Sequence, residues 1–382
     1  MPSLRPDVDP DGLFEFSVVF TDRALNHMSR KFQSVMREIS ATLKQAYAAH
    51  SAIVVPGGGT FGMEAVARQF ATGAKALVVR NGWFSFRWSQ ILDTGRICAS
   101  HSVIKARPIA AGRQMPFAPP PVDEVVAAIR EQGAQIVFAP HVETAAGLLL
   151  TDEYLRALAD AVHANQGLLV LDCIASGAAW VDMKKTGVDV LVSAPQKGWS
   201  GSPGCGFVLL NADARARIDA TSSSSFAADL KKWLQIMEAY EAGGHAYHAT
   251  MPTDALARTC EAMLETKAIG FEKLRSAQFE LGRKVRALFE SAGLRSVAAE
   301  PYQAPGVVVC YTDDNEIHTG RAFLGQGLQT ASGVPLQCDE PADFKTFRVG
   351  LFGLDKLQDV DATVARLARA LDAILGSPAR AA

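Results

Sequence analysis

Between residues 52 and 210 the chain alternates short apolar runs with stretches of helical spacing, and this alternation limits the fold more than any other feature. The runs are Ala52-Ile53-Val54-Val55, Ala76-Leu77-Val78-Val79, Gln135-Ile136-Val137-Phe138, Gly167-Leu168-Leu169-Val170-Leu171, Asp189-Val190-Leu191-Val192 and Gly206-Phe207-Val208-Leu209-Leu210. They are apolar on successive residues, as strands are when helices cover both faces of a sheet. Segments 63–70, 122–131 and 154–165 place apolar residues at helical intervals, and Asp123 and Asp152 stand near helix starts, where a carboxylate suits the dipole. The series reads as βαβ units and predicts an α/β fold with a mostly parallel, doubly wound sheet.

Past residue 210 the texture changes. A serine run at 222–225 is expected to be loop, and one long helical pattern covers roughly 253–292. Strands are expected at 306–311 and 347–349, and a closing helix at 359–375. A chain of 382 residues has room for two cores. The expected division is an N-terminal segment, 1–20, packing with the small domain; a large domain, 21–254; and a smaller α/β domain, 255–382. Lys plus Arg is 38 against 40 for Asp plus Glu, so the balance gives no footprint for nucleic acid. The first thirty residues lack a basic start followed by an apolar core, and no apolar stretch reaches membrane-spanning length, so no membrane partner and a cytoplasmic location are expected. Six cysteines stand singly, without CxxC pairs or zinc-finger histidine spacing, and neither a disulfide framework nor a metal site is expected.

Ligands of open parallel sheets sit at the carboxyl ends of the strands, so the residues following each run hold the most information. Pro56-Gly57-Gly58-Gly59-Thr60-Phe61-Gly62-Met63-Glu64 is a glycine loop running into a helix start, an anion cradle of free N–H groups. It is neither a nucleotide P-loop nor a GxGxxG turn. The run 167–171 ends in Asp172, an acid at the tip of an apolar strand that needs a partner. The next ends in Ser193-Ala194-Pro195-Gln196-Lys197, which puts an amine 25 residues after that acid. A phosphate loop, an acid on the fourth recognisable strand and a lysine after the fifth are the three contacts pyridoxal 5′-phosphate requires, for its phosphate, its ring nitrogen and its aldehyde.

With Asn81-Gly82-Trp83-Phe84, His141-Val142-Glu143-Thr144-Ala145-Ala146-Gly147, Asp172-Cys173-Ile174-Ala175-Ser176 and Phe347-Arg348-Val349-Gly350 added, the chain resembles the class V, fold-type I, pyridoxal-phosphate aminotransferases. The likeness is greatest to the alanine–glyoxylate and serine–glyoxylate (serine–pyruvate) branch and runs over residues 28–375. It implies that Lys197 forms the Schiff base and moves a proton, and that Asp172 keeps the ring nitrogen protonated. By the same resemblance Gly58, Gly59, Thr60 and Gln196 hold the phosphate, joined by Thr250 from a second subunit of a homodimer. Phe84 stacks on the ring, Thr144 donates to the phenolic oxygen, and Arg348 forks onto the substrate carboxylate. The implied reaction moves the amino group of an alanine- or serine-type donor to glyoxylate or pyruvate by a ping-pong route.

Two departures bear on the substrate. The family's Pro-Gly-Pro-Thr entrance turn is replaced by Phe16-Ser17-Val18-Val19-Phe20-Thr21-Asp22-Arg23, and Thr60-Phe61 puts a bulky ring where a small residue is usual. The alternatives are a cysteine desulfurase or lyase using Cys338 as a mobile thiol, and a transaminase of 2-aminoethylphosphonate.

Overall fold

The computed structural model describes residues 7–376. Seven strands form the main sheet: β1 (Ser51–Pro56), β2 (Lys75–Arg80), β3 (Ser100–Lys105), β4 (Ile136–Pro140), β5 (Leu168–Asp172), β6 (Val190–Ser193) and β7 (Cys205–Leu210). Their order is β1-β7-β6-β5-β4-β2-β3. Strands β2 to β6 pair in parallel, and β7 runs antiparallel to both β1 and β6. Helices Gly59–Phe70, Trp83–Gly95, Val122–Gln132 and Asp152–Ala164 are the crossovers. The sheet is an apolar layer covered on both sides: Ile53, Leu77, Phe138, Leu169, Leu191 and Val208 are all inaccessible to solvent.

One strand departs from the expectation drawn from apolar runs. Strand β3 reads Ser-His-Ser-Val-Ile-Lys; as an edge strand with β2 as its one neighbour it stays half-exposed and has no continuous apolar run. Asp172 therefore closes the fifth strand and Lys197 follows the sixth. The single helical pattern expected over 253–292 is two helices, Thr253–Ile269 and Phe271–Ser291. Between them Gly270 sits at φ +104, a conformation that interrupts a helix and that glycine adopts without a steric penalty.

A second sheet pairs Val307–Tyr311 with Thr346–Gly350, and the latter with Ala331–Ser332, all antiparallel. Its two faces have different jobs. Val308, Cys310, Phe347 and Val349 pack with Leu281, Val285, Phe289 and Leu371 of the covering helices. Val307, Val309 and Tyr311 point the other way and join Val142, Ala145, Leu148, Leu336 and Cys338 in a core shared with the large sheet's loops. By the two-residue period of a strand, Arg348 lies opposite Phe347 and Val349 and faces the loops of the main sheet. Near the start of the described chain Val8 packs on the core of the main sheet and its helices, Lys31 Nζ donates to the Val8 carbonyl at 2.6 Å, and Asn26 Nδ2 donates to Glu15 at 2.7 Å. Leu13, Phe14, Phe16 and Val18 in the same segment are exposed. Among the described residues no helix is long and apolar enough to cross a membrane.

Candidate active site

The carboxyl edge of the large sheet gathers most of the residues singled out above. After β1 the chain turns through Gly57 at φ +119 and enters the Gly59–Phe70 helix with Gly58 as its N-cap. No side chain caps this helix, so N–H groups of its first turn lack intrahelical acceptors. A Cβ on Gly59 would strike Ile174 Cδ1 at 2.5 Å, and one on Gly206 would strike the Gly58 carbonyl at 2.8 Å. On Gly58 it would meet nothing within 4 Å. The loop is thus pressed against the sheet on one side and open at Gly58, a backbone concavity that suits a phosphate.

Asp172 ends β5 almost wholly buried, at 7% exposure. Its Oδ1 accepts from the Ile174 N–H at 2.9 Å, the one hydrogen bond its carboxylate receives among the described residues. Burial lifts its carboxyl from 3.8 to about 6, against the opposing pull of that bond and of Lys197. The Asp172 carbonyl accepts from the His141 N–H at 2.8 Å. The His141 ring pairs with Ser176 Oγ at 2.7 Å, and burial drives its pKa down to about 3, so the imidazole is neutral. A buried acid with unused acceptor capacity fits the protonated nitrogen of a heterocycle.

Lys197 follows β6 in a turn closed by Gly201 N–H donating to the Pro195 carbonyl (2.9 Å) and Ser200 N–H donating to the Lys197 carbonyl (3.1 Å). Gly198 is required here, since a Cβ would lie 2.4 Å from the Gly177 carbonyl. Under the turn, buried Trp199 packs on Trp180 with centroids 4.7 Å apart, bordered by Tyr47 and Phe271. The amine itself stands between two rings, its Nζ 5.8 Å from the Phe84 centroid and 5.7 Å from that of Phe352. Burial lowers its pKa, the Asp172 charge opposes the shift, and Arg348 and Arg87 reinforce it.

Phe84 owes its position to Glu143. That carboxylate is fully buried at the start of the Trp83–Gly95 helix: Oε1 accepts from the N–H groups of Phe84 (3.1 Å) and Ala145 (2.9 Å), and Oε2 from the Ser85 N–H (2.9 Å) and hydroxyl (2.6 Å). Gly82 makes room, because a Cβ there would lie 2.7 Å from the Glu143 carboxyl carbon. From the second sheet Arg348 brings its guanidinium carbon to 5.5 Å from the Phe84 centroid, with its Nε donating to the Ser332 carbonyl at 2.8 Å. Burial lowers the Arg348 pKa, and Glu143 opposes the shift. Arg87, one turn beyond Phe84, stacks on the same ring at 4.8 Å.

Lys197, Phe84 and Arg348 therefore converge, with Asp172 and the glycine loop on the same sheet edge. Thr144 is half-buried next to Glu143. Gln196 is exposed, and Thr250 is exposed and pairs with the Tyr247 hydroxyl at 3.1 Å. Sequence reasoning missed Glu143, Phe352 and Arg87 as members of the site. Glu143 lay inside a quoted motif, but its cap on a distant helix start is a tertiary contact. Phe352 lies two residues past Gly350, seated against Gly177, Gly306 and Gly350. Cys338 is 4% exposed, its Sγ donates to the Arg80 and Leu336 carbonyls, and burial pushes its pKa up to about 12. A protonated thiol held this way is not the mobile nucleophile that desulfuration requires.

A glycine cradle, a buried acid and an amine between two aromatic rings define a fold-type I pyridoxal-phosphate enzyme. The chain belongs to the class V aminotransferases, whose family model matches residues 15–361. It is 30% identical over 332 residues to the 2-aminoethylphosphonate–pyruvate transaminase of Burkholderia ambifaria, covering 84% of this chain and 82% of that one. Among curated relatives it is also 25% identical over 355 residues to the small subunit of a soluble hydrogenase from a Synechococcus species, covering 92% of this chain and 87% of that one. The fold matches the alanine–glyoxylate aminotransferase of Nostoc (TM-score 0.77, 21% identity, 92% of this chain and 89% of that one). It matches equally the aspartate aminotransferase of Thermus thermophilus (TM-score 0.75, 23% identity, 92% and 93%). The protein is an aminotransferase, and its cofactor is pyridoxal 5′-phosphate.

Proposed function

We propose that the enzyme moves the amino group of a small α-amino acid of the alanine or serine type to pyruvate or glyoxylate. The observation that carries this reading is Arg348: anchored through Nε to the Ser332 carbonyl, it keeps its paired Nη groups for a planar carboxylate at the ring that Lys197 also reaches. Lys197 is assigned to hold the cofactor through its aldehyde and, once released, to carry a proton at the donor Cα. Asp172 is assigned to the ring nitrogen, Phe84 to the ring face, Thr144 to the phenolic oxygen, and Gly58, Gly59, Thr60 and Gln196 to the phosphate. Once bound, the cofactor supplies an electron sink for the donor Cα. The lowered pKa of Lys197 favours the neutral amine that both of its tasks need.

A homodimer goes with this assignment. Thr250 belongs to the phosphate site of a second copy; Phe61, Phe226 and Tyr247 are exposed, as are the apolar side chains of residues 13–18. A cytoplasmic location is part of the same reading. The names of curated relatives favour a second donor, 2-aminoethylphosphonate, whose phosphonate would meet the same arginine. A panel of alanine, serine, aspartate and 2-aminoethylphosphonate decides, each tested for loss of the cofactor's visible band and for its recovery with pyruvate or glyoxylate. Bleaching by the phosphonate alone removes the α-amino acid reading. Light scattering that finds a monomer removes the shared site.

A further inference from the structure

Arg87 is the one cation of this site to which neither the family's motifs nor the reaction assigns a task. It sits one turn after Phe84 on the Trp83–Gly95 helix, is half-buried, and lays its guanidinium carbon 4.8 Å from the Phe84 centroid. Its Nη1 donates to Thr60 Oγ1 at 3.3 Å, so it reaches across from the aromatic wall to the second residue of the helix that opens the glycine cradle. That hydrogen bond is long, and no carboxylate among the described residues pairs with the guanidinium. By contrast, Arg68 on the cradle helix is tied to Glu64 at 2.7 Å. The charge nonetheless acts inside the site: it opposes the rise that burial imposes on Asp172 and adds to the fall that burial imposes on Lys197.

An arginine that spends its donors on a threonine hydroxyl and a ring face, beside uncapped helix N–H groups, is suited to an anion not made by the chain itself. We propose that Arg87 is a second binding residue for the cofactor phosphate: its guanidinium closes the outer side of the cradle that Gly58, Gly59 and Thr60 form from the inner side. The dianion then meets a fork of N–H donors as well as a helix terminus. The stack on Phe84 holds the fork in place before the cofactor arrives, so little side-chain freedom is lost on binding. The inference rests on the assignment of the glycine loop to the phosphate.

The test compares two ligands on apoprotein, pyridoxal 5′-phosphate and phosphate-free pyridoxal, read by absorbance and by quenching of tryptophan fluorescence. Loss of one charge-assisted contact predicts that Arg87→Gln weakens pyridoxal 5′-phosphate binding by roughly 10–100-fold while pyridoxal binding stays unchanged. Arg87→Lys keeps the charge but not the fork and should fall between; it also serves if the glutamine variant folds poorly. Raising the salt concentration should weaken wild-type binding of the phosphorylated ligand more than that of Arg87→Gln. If the variant binds the phosphorylated ligand as wild type does, the proposal is wrong. If both ligands weaken in parallel, Arg87 only props Phe84 and the proposal is again wrong. A wild-type protein with the same affinity for both ligands would instead sink the phosphate assignment of the glycine loop.

Discussion

Replacing Asp172 with asparagine separates what this acid does to the fold from what it does for the reaction. Burial raises its carboxyl from 3.8 to about 6. The folded protein therefore holds the proton more tightly than the unfolded chain. Stability from this group is complete below about pH 3.8, declines as pH rises towards 6, and stays reduced above it. The rise corresponds to a penalty on the order of 3 kcal/mol for the ionised acid at neutral pH. Asparagine has the same shape, keeps an oxygen that accepts from the Ile174 N–H, and carries no charge. The Asp172→Asn apoprotein should thus be more stable than wild type at pH 7 by up to about 3 kcal/mol, and the advantage should shrink to nothing near pH 4. Urea titrations of the two apoproteins, followed by tryptophan fluorescence at a series of pH values, measure the difference; the shared acid titrations cancel. Transamination should fall by ~10²–10³-fold, the usual loss when a preorganised electrostatic group is removed. Equal stability at pH 7, an advantage that does not vary with pH, or an active variant would each refute the argument.

Three further substitutions probe other parts of the site. Gly58→Ala places a methyl in open space on extended backbone at φ −172, so the apoprotein should melt as wild type while cofactor affinity drops; unchanged affinity means the cradle is not where the phosphate sits. Glu143→Ala strands the N–H groups of Phe84, Ser85 and Ala145 and should destabilise the fold by ~3 kcal/mol or more, with Glu143→Gln losing less because one carbonyl acceptor remains. Thermal melts that place both variants at the wild-type midpoint count against that account. Arg348→Lys should lower kcat/KM for the donor by roughly 10–100-fold without changing cofactor uptake in a titration, because the fork is lost and the charge is kept.

The parts of this enzyme that were legible in sequence are those whose physics is local. Buried strands such as residues 168–172 announce themselves because both faces must be apolar, and the chemistry follows because ligands collect where such strands end. Strand β3 escaped because an edge strand can be Ser-His-Ser. The break at Gly270 escaped because the apolar spacing continues across it while the backbone does not. In the candidate site, Asp172 ends a strand and Lys197 and Phe84 come shortly after one, so strand ends point to all three. Glu143 and Phe352 act through contacts with segments far off in the chain: Glu143 with the start of the Trp83–Gly95 helix, Phe352 with glycines at 177 and 306. No local pattern marks a residue whose task is to fit another element's glycine.

The two buried carboxylates at the sheet edge show how a structural acid is told from a functional one. Glu143 accepts four hydrogen bonds, so its oxygens are satisfied by the chain itself. Asp172 is about as inaccessible, accepts one bond at its carboxylate, and is shifted upward by burial. Desolvation without compensation is costly in a folded protein. An acid held in that condition, at the carboxyl edge of a parallel sheet and within the field of Lys197, has acceptor capacity that suits a ligand's N–H. Saturation of hydrogen bonds therefore separates the acid that builds the pocket from the acid we assign to the ring nitrogen, where burial alone would have grouped them together.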